Sequence, residues 1–167
     1  MTLEEAIRTA ISYETRIRNV YREAAEQTLE EAGKSFLESM GDDEQRHLDY
    51  LKDRLDEWKK TGILNADKLE TVIPSNERIA EEMAKYKERM SKKSLGDQKR
   101  ILSRALRVEV ETSGFYRKMA KEMTDEAQAI FARFLEIEER HIAAVQMQLD
   151  YVTKTGYWFD FKEFDME

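Results

Sequence analysis

The 167-residue chain has no cysteine. Disulfides, thiolate catalysis, iron–sulfur centres and any cysteine-held iron module are thereby excluded. Proline occurs once and glycine six times. With 38% charged residues and abundant Glu, Lys, Arg, Ala, Leu and Met, that scarcity favours long helices over sheets. No run of eighteen apolar residues exists, so no membrane-spanning segment is expected. Basic charge is in deficit, 28 Lys and Arg against 35 Asp and Glu, and the net charge of −7 argues against a nucleic-acid partner. The opening "MTLEEAIRTA" lacks the apolar core of a secretory signal, and a cytoplasmic location is the expectation.

Apolar residues recur at helical spacing through four long segments. The first covers about 3–27, with Thr2 and Glu5 spaced as a capping box and a stripe of Leu3, Ile7, Ala10, Ile11, Ile17, Val20, Tyr21 and Ala24. The second, about 29–60, follows a repeated "TLEE" at Thr28 to Glu31 and closes on "KKTG", a good C-terminal signal. The third and fourth cover about 97–123 and 125–153, the last with Phe131, Phe134, Leu135, Ile142, Val145 and Leu149 on its stripe. A crossover, 61–96, holds the only proline and a short helix at about 76–90, with Ile79, Met83, Tyr86 and Met90 inward. The expected fold is all-α, an antiparallel four-helix bundle with one long crossover between the second and third long helices. Residues 1–155 form one domain. The tail, 156–167, "GYWFDFKEFDME", is too aromatic for a solvated end and is expected to pack on the bundle or on a neighbouring subunit.

Near its middle, each stripe is interrupted. Glu14 fills the gap between Ile11 and Ile17, and Glu44 centres the series 37, 40, 44, 48, 51, 55, 58, with His47 on the same side. Glu109 lies in the series 102, 105, 109, 112, 116, 119, 123, and Glu138 and His141 lie on the fourth stripe. Four ionised carboxylates buried together are prohibitive without counter-charge. Two divalent cations cancel that charge, and two imidazoles bind as neutral ligands. A Glu and a His at i and i+3 point the same way from a helix. One Glu from each of two helices, with Glu-x-x-His from each of the other two, is the ligand plan of di-metal carboxylate bundles. The plain alternative pairs each histidine structurally with its neighbouring glutamate, but it leaves Glu14 and Glu109 unexplained.

The two halves of the chain match. In "YETRIRNVY", Glu14 precedes Tyr21 by seven residues, and in "VEVETSGFY", Glu109 precedes Tyr116 by seven. Glu14 precedes Glu44 by 30 residues and Glu109 precedes Glu138 by 29, the mark of a duplicated hairpin. Tyr21 and Tyr116 either hydrogen-bond a ligand carboxylate, beside the reacting centre, or simply pack in the core. Arg46 and Arg140 are expected to face outward in salt bridges.

With Glu14, "DEQRH", Glu109 and "EERH" in that order, the chain resembles the ferritin-like diiron-carboxylate superfamily, nearest the rubrerythrin group, over about residues 3–153. The resemblance implies a ferritin-like bundle in which Glu14 and Glu109 are terminal ligands, Glu44 and Glu138 bridge the metals, and His47 and His141 each give one nitrogen. It also makes Asp43 an acceptor for a histidine ring across the site. Two departures stand out. Rubrerythrins carry a further glutamate three residues after the third-helix ligand, where this chain has Thr112, and a cysteine-ligated iron domain that this chain lacks. Oxygen and imidazole ligands suit iron or manganese, with zinc as a substitute; two iron ions per chain are expected, because iron gives the pair a redox use. The activity implied is reduction of hydrogen peroxide or dioxygen, an oxidative-stress role, with electrons from an external donor. An oxygenase or hydroxylase acting on an organic substrate, and a non-enzymatic iron-binding or sequestration protein, are the alternatives. The aromatic tail and long crossover lead us to expect a homodimer.

Overall fold

The computed structural model describes residues 1–67, 69–85 and 96–160, and among them the chain forms five helices and no strand. They are α1 (Leu3–Gln27), α2 (Glu31–Thr61), α3 (Asn76–Lys85), α4 (Gly96–Glu122) and α5 (Asp125–Thr155). The long helices α1 and α2 pack as one antiparallel hairpin and α4 and α5 as another; α1 meets α4, and the short crossover helix α3 lies on α5. Of the short helix expected at about 76–90, residues 86–90 lie outside the described residues, as do the side chain of Met83 and tail residues 161–167. No helix among the described residues is long and apolar enough to cross a membrane.

The helix ends follow local chemistry. Thr2 and Glu5 form the reciprocal capping box, each side chain taking the other's backbone N–H at 3.2 and 2.7 Å. The second "TLEE" does not repeat it. Thr28 turns back instead and donates its hydroxyl to the Ala24 carbonyl at 2.7 Å, serving the last turn of α1 on its buried side, and Glu30 precedes α2 without a side-chain cap. Helices α2 and α5 are both 31 residues long and both stop at a left-handed glycine, Gly62 (φ 73°) and Gly156 (φ 79°). Each of these glycines follows its helix's histidine by the same interval, which extends the duplication beyond the site.

Two apolar blocks fill the bundle. One gathers Ile17, Val20, Leu37, Met40, Leu102, Ala105 and Val145, and the other Ile7, Ala10, Leu51, Leu55, Met119, Phe131 and Phe134. The interruptions in the four stripes fall between them and make one polar layer at mid-height.

Trp158 and Phe159 are buried against the first block. The clamp is Gln148, whose side chain donates to the Phe159 carbonyl at 2.8 Å and accepts the Phe159 N–H at 2.9 Å. The stripe had placed Leu149 inward; Leu149 is only half-buried, and the fully buried neighbour is Gln148, since the tail supplies both of its partners. Gly33 makes room for the tail, because a Cβ there would lie 2.5 Å from the Trp158 ring. An interior helical Gly→Ala change alone favours the helix by about 1 kcal/mol. Overpacking against a buried indole costs about 1–3 kcal/mol. Gly33→Ala is therefore expected to lower the melting temperature and shift indole emission to the red, as thermal unfolding and fluorescence will show.

Candidate metal centre

The polar layer is built from Glu14 on α1, Asp43, Glu44 and His47 on α2, Glu109 on α4, and Glu138 and His141 on α5, all with 0% exposure. Among the described residues their donor atoms form three groups able to hold a metal ion: Asp43, His47 and His141 behind the rings, and two larger groups that overlap. Glu14, Glu44, His47 and Glu138 make one, and Glu44, Glu109, Glu138 and His141 the other; within each, the ligand atoms lie within 4.8 Å of one another. Glu44 and Glu138 belong to both. The six side chains singled out by their interruption of the stripes therefore converge on one space.

The rings of His47 and His141 stack, with centroids 5.5 Å apart and planes 16° from parallel. Both turn Nδ1 toward the carboxylates. His141 Nδ1 lies 2.7 Å from Glu44 Oε1 and 3.6 Å from Glu109 Oε1, and His47 Nδ1 lies 3.3 Å from Glu44 Oε2. Each Nε2 meets an acceptor behind the ring, Asp43 Oδ2 at 2.8 Å for His141 and the Glu70 carbonyl at 3.2 Å for His47. A carbonyl only accepts, so His47 carries hydrogen on Nε2 and presents the lone pair of Nδ1 to the cluster. That is the tautomer a metal ligand needs.

Asp43 reaches across the site to the ring of the other hairpin. It also accepts from Arg46 at 2.6 Å, the Thr71 hydroxyl at 2.5 Å and the Val72 N–H at 3.4 Å. Arg46 is half exposed, yet its guanidinium turns back onto this buried carboxylate, where only outward pairing was expected. Arg140 does pair at the surface, with Glu136 at 3.0 Å.

Sequence reasoning missed the crossover's part. Glu70, Thr71 and Val72 reach the layer through a carbonyl, a hydroxyl and an N–H, and flanking backbone is tied down by Tyr50 on the Asp67 carbonyl (2.7 Å) and Arg133 on the Leu69 carbonyl (3.0 Å). A main-chain acceptor leaves no mark in a sequence. The one available signal was Ile137, which stands before Glu138 where Asp43 stands before Glu44, so one ring lacked a side-chain acceptor.

The tyrosines bond a carboxylate, but each serves the opposite hairpin. Tyr21 donates to Glu109 Oε1, and Tyr116 donates to Glu14 Oε1. Both phenols are fully buried. Thr112 is buried too, and its hydroxyl is spent on the Val108 carbonyl at 2.8 Å, so it offers the layer nothing in place of a carboxylate.

Among the described residues of the layer, four carboxylate oxygens meet no N–H or hydroxyl donor, Glu14 Oε2, Glu109 Oε2 and both oxygens of Glu138, and they lie against other carboxyls, Glu44 beside Glu14 and Glu138 beside Glu109. The electrostatics follow. Burial, then the nearby Glu44 charge, raises Glu14 well above the usual carboxylate range. Burial and the charges of Glu44, Glu109 and Glu14 do the same to Glu138, and burial raises Glu44 against the pull of His141. Burial opposes a charged His141, but the surrounding acids, Glu44 first, outweigh it and raise its pKa well above the usual value. Glu109 and Asp43 are lowered, because hydrogen bonding to His141 outweighs their burial. Burial lowers His47. Burial and adjacent carboxylates raise both tyrosines, which stay phenols. Carboxyl oxygens without a donor, facing ring nitrogens in a fully buried layer, fit a pair of cations, since hard divalent ions can displace the carboxyl protons and supply the counter-charge that the protein withholds.

The chain is thus an all-α bundle with a buried carboxylate–histidine cluster of the kind found in ferritin-like diiron proteins. Compared with protein-family models, with curated proteins and with solved structures, it finds no match.

Proposed function

We propose that the layer holds two divalent cations, iron in the working protein with manganese or zinc as substitutes, and that the chain reduces hydrogen peroxide or dioxygen in the manner of rubrerythrins. Glu14 and His47 would hold one ion and Glu109 and His141 the other, with Glu44 and Glu138, which belong to both groups, within reach of each. The observation that carries this reading is the set of four carboxylate oxygens that meet no N–H or hydroxyl donor, in a fully buried layer that also aims two imidazole Nδ1 atoms inward. When bound as a ferrous pair, iron supplies the two electrons that, with two protons, take H₂O₂ to two waters, and an external donor then returns the ferric pair to ferrous.

The chain's residues do the rest. Tyr21 and Tyr116 hold a proton at Oη against Glu109 and Glu14 and fix the orientation of both carboxylates. Glu70 and Asp43 hold the two rings. The apolar blocks above and below exclude water. With no cysteine to hold the separate iron centre that rubrerythrins carry, the 167 residues are proposed to take electrons from an external donor.

Anaerobic loading with Fe²⁺, followed by H₂O₂ or O₂ in separate reactions, tests the proposal. Two irons per chain and oxidation faster with peroxide than with O₂ are expected. Failure to retain iron ends the metal reading. Fast O₂ and slow peroxide oxidation points to the oxygenase class, and a single oxidation without re-reduction by added donor points to sequestration.

A further inference from the structure

The two halves of the centre differ in what holds each histidine. His141 Nε2 meets the carboxylate of Asp43 at 2.8 Å. His47 Nε2 meets the neutral carbonyl of Glu70 at 3.2 Å, and Asp43 Oδ2, at 3.7 Å, is beyond hydrogen-bond reach. The difference is built into the chain, because Ile137 occupies the place in the second hairpin that Asp43 has in the first. Arg46, 2.6 Å from Asp43 Oδ1, favours the charged form of the acid. Glu44 is also closer to one ring, 2.7 Å from His141 Nδ1 against 3.3 Å from His47 Nδ1.

A carboxylate behind an imidazole N–H pushes more electron density onto the ring than a carbonyl does, and the opposite nitrogen becomes a better ligand. We infer that the two cation positions, matched in their direct ligands, are unequal in affinity, and that the position bounded by Glu109 and His141 fills first and holds its ion more tightly than the one bounded by Glu14 and His47. This rests on the two-cation reading above and adds an order of assembly to it. Asp43 is the positioning residue responsible. The singly loaded chain is then one defined species, with its ion beside His141, and the second ion completes the pair.

Titration of the full chain with Co²⁺, followed by calorimetry and visible absorption, tests the inference. Stepwise uptake alone is not decisive, because a second cation meets the charge of the first even in a symmetric site. The variants decide. Glu14→Ala keeps the tighter position and is expected to hold its one ion about 10–100-fold more tightly than Glu109→Ala holds its own, the usual scale for a partner behind a ligand. Asp43→Asn is expected to weaken the first step in the otherwise unaltered chain, and in Glu14→Ala, by a similar factor, and to affect Glu109→Ala much less. An amide can offer its oxygen to Arg46 and Val72 or to His141, but not to both. Any result in which Glu14→Ala does not bind more tightly than Glu109→Ala overturns the inference, and so does equal weakening of both positions by Asp43→Asn. If Asp43→Asn fails to fold, the comparison of the two alanine variants decides alone. Uptake of two Co²⁺ by the unaltered chain leaves the two-cation reading standing in either case; no uptake removes both.

Discussion

Glu138→Leu is expected to raise the melting temperature of the metal-free chain while abolishing the paired site. Both oxygens of Glu138 are buried and meet no N–H or hydroxyl donor, only the neighbouring Glu109 carboxyl, and its pKa is raised well above the usual range by burial and three neighbouring acids. A buried, unsatisfied polar group costs about 1–3 kcal/mol. Leucine is close to glutamate in volume and would join Phe134 and Ile137, which already line that face of α5. For a chain of this size 1 kcal/mol moves the midpoint by about 2–4 °C, so the metal-free variant should melt roughly 2–12 °C higher. With metal present the order reverses, because only the unaltered chain gains from two bound ions. Glu44→Leu should behave oppositely in the metal-free state. Glu44 is the partner of both histidine rings, and removing it takes from Nδ1 of His47 and of His141 the carboxylate nearest to each. Circular-dichroism melts with chelator and with metal, beside metal counts, measure all of this. A metal-free Glu138→Leu chain that melts lower than the unaltered one would mean that Glu138 has a protein partner that satisfies it, and the case for cations in the layer would lose its main support.

The contrast between these two glutamates was invisible in the sequence, where both are simply the Glu of Glu-x-x-His. What the sequence did carry was periodic. Four amphipathic helices advertise their inward faces every three or four residues, so a glutamate at position 14, 44, 109 or 138 stands out against a stripe that is otherwise largely apolar. That is why the bundle and the convergence of the six residues could be read. The remainder depends on pairings between segments remote in sequence. Gln148 is buried because the tail returns to meet it, and period alone put Leu149 in that place. Thr28 could cap forward or backward, and the carbonyl left open at the end of α1 drew it backward. The tyrosines cross between hairpins because their hydroxyls are buried and each meets its acceptor on the opposing helix, whereas spacing related them only to their own helix. The Glu70 carbonyl is held in place by Tyr50, Arg133 and Asp43, none of them near it in sequence.

The stabilisation conferred by metal is expected to grow as pH rises from about 5.5 to 8. In the metal-free chain Glu14 and Glu138 are raised well above 4.5 by burial, so the folded state keeps protons that the unfolded state has released. Their contribution is fully present below about pH 4.5 and is lost as pH climbs through their folded values. His141, raised well above 6.5 chiefly by Glu44 in spite of its burial, adds to the same loss above pH 6.5. Asp43 and Glu109 are lowered from 3.8 and 4.5, so their contribution is complete before this window opens and stays flat across it. Only His47, lowered from 6.5 by burial, works the other way, with a contribution that falls off below pH 6.5. The metal-free chain should therefore weaken toward pH 8. The loaded chain should not, because cations displace those protons and bind the deprotonated ligands more tightly as pH rises. At a free metal concentration 100-fold above Kd each ion adds about 2.7 kcal/mol. Two ions then separate the loaded and metal-free melting temperatures by roughly 10–20 °C at pH 8. At pH 5.5 the separation should be less than about half of that, because proton release opposes binding. Parallel melts at the two pH values with a fixed excess of Mn²⁺, which is not oxidised under these conditions, give the comparison directly. A separation that stays constant or narrows toward pH 8 would show that the raised carboxylates are not the groups the metal displaces, and the ions would have to be bound elsewhere on the chain.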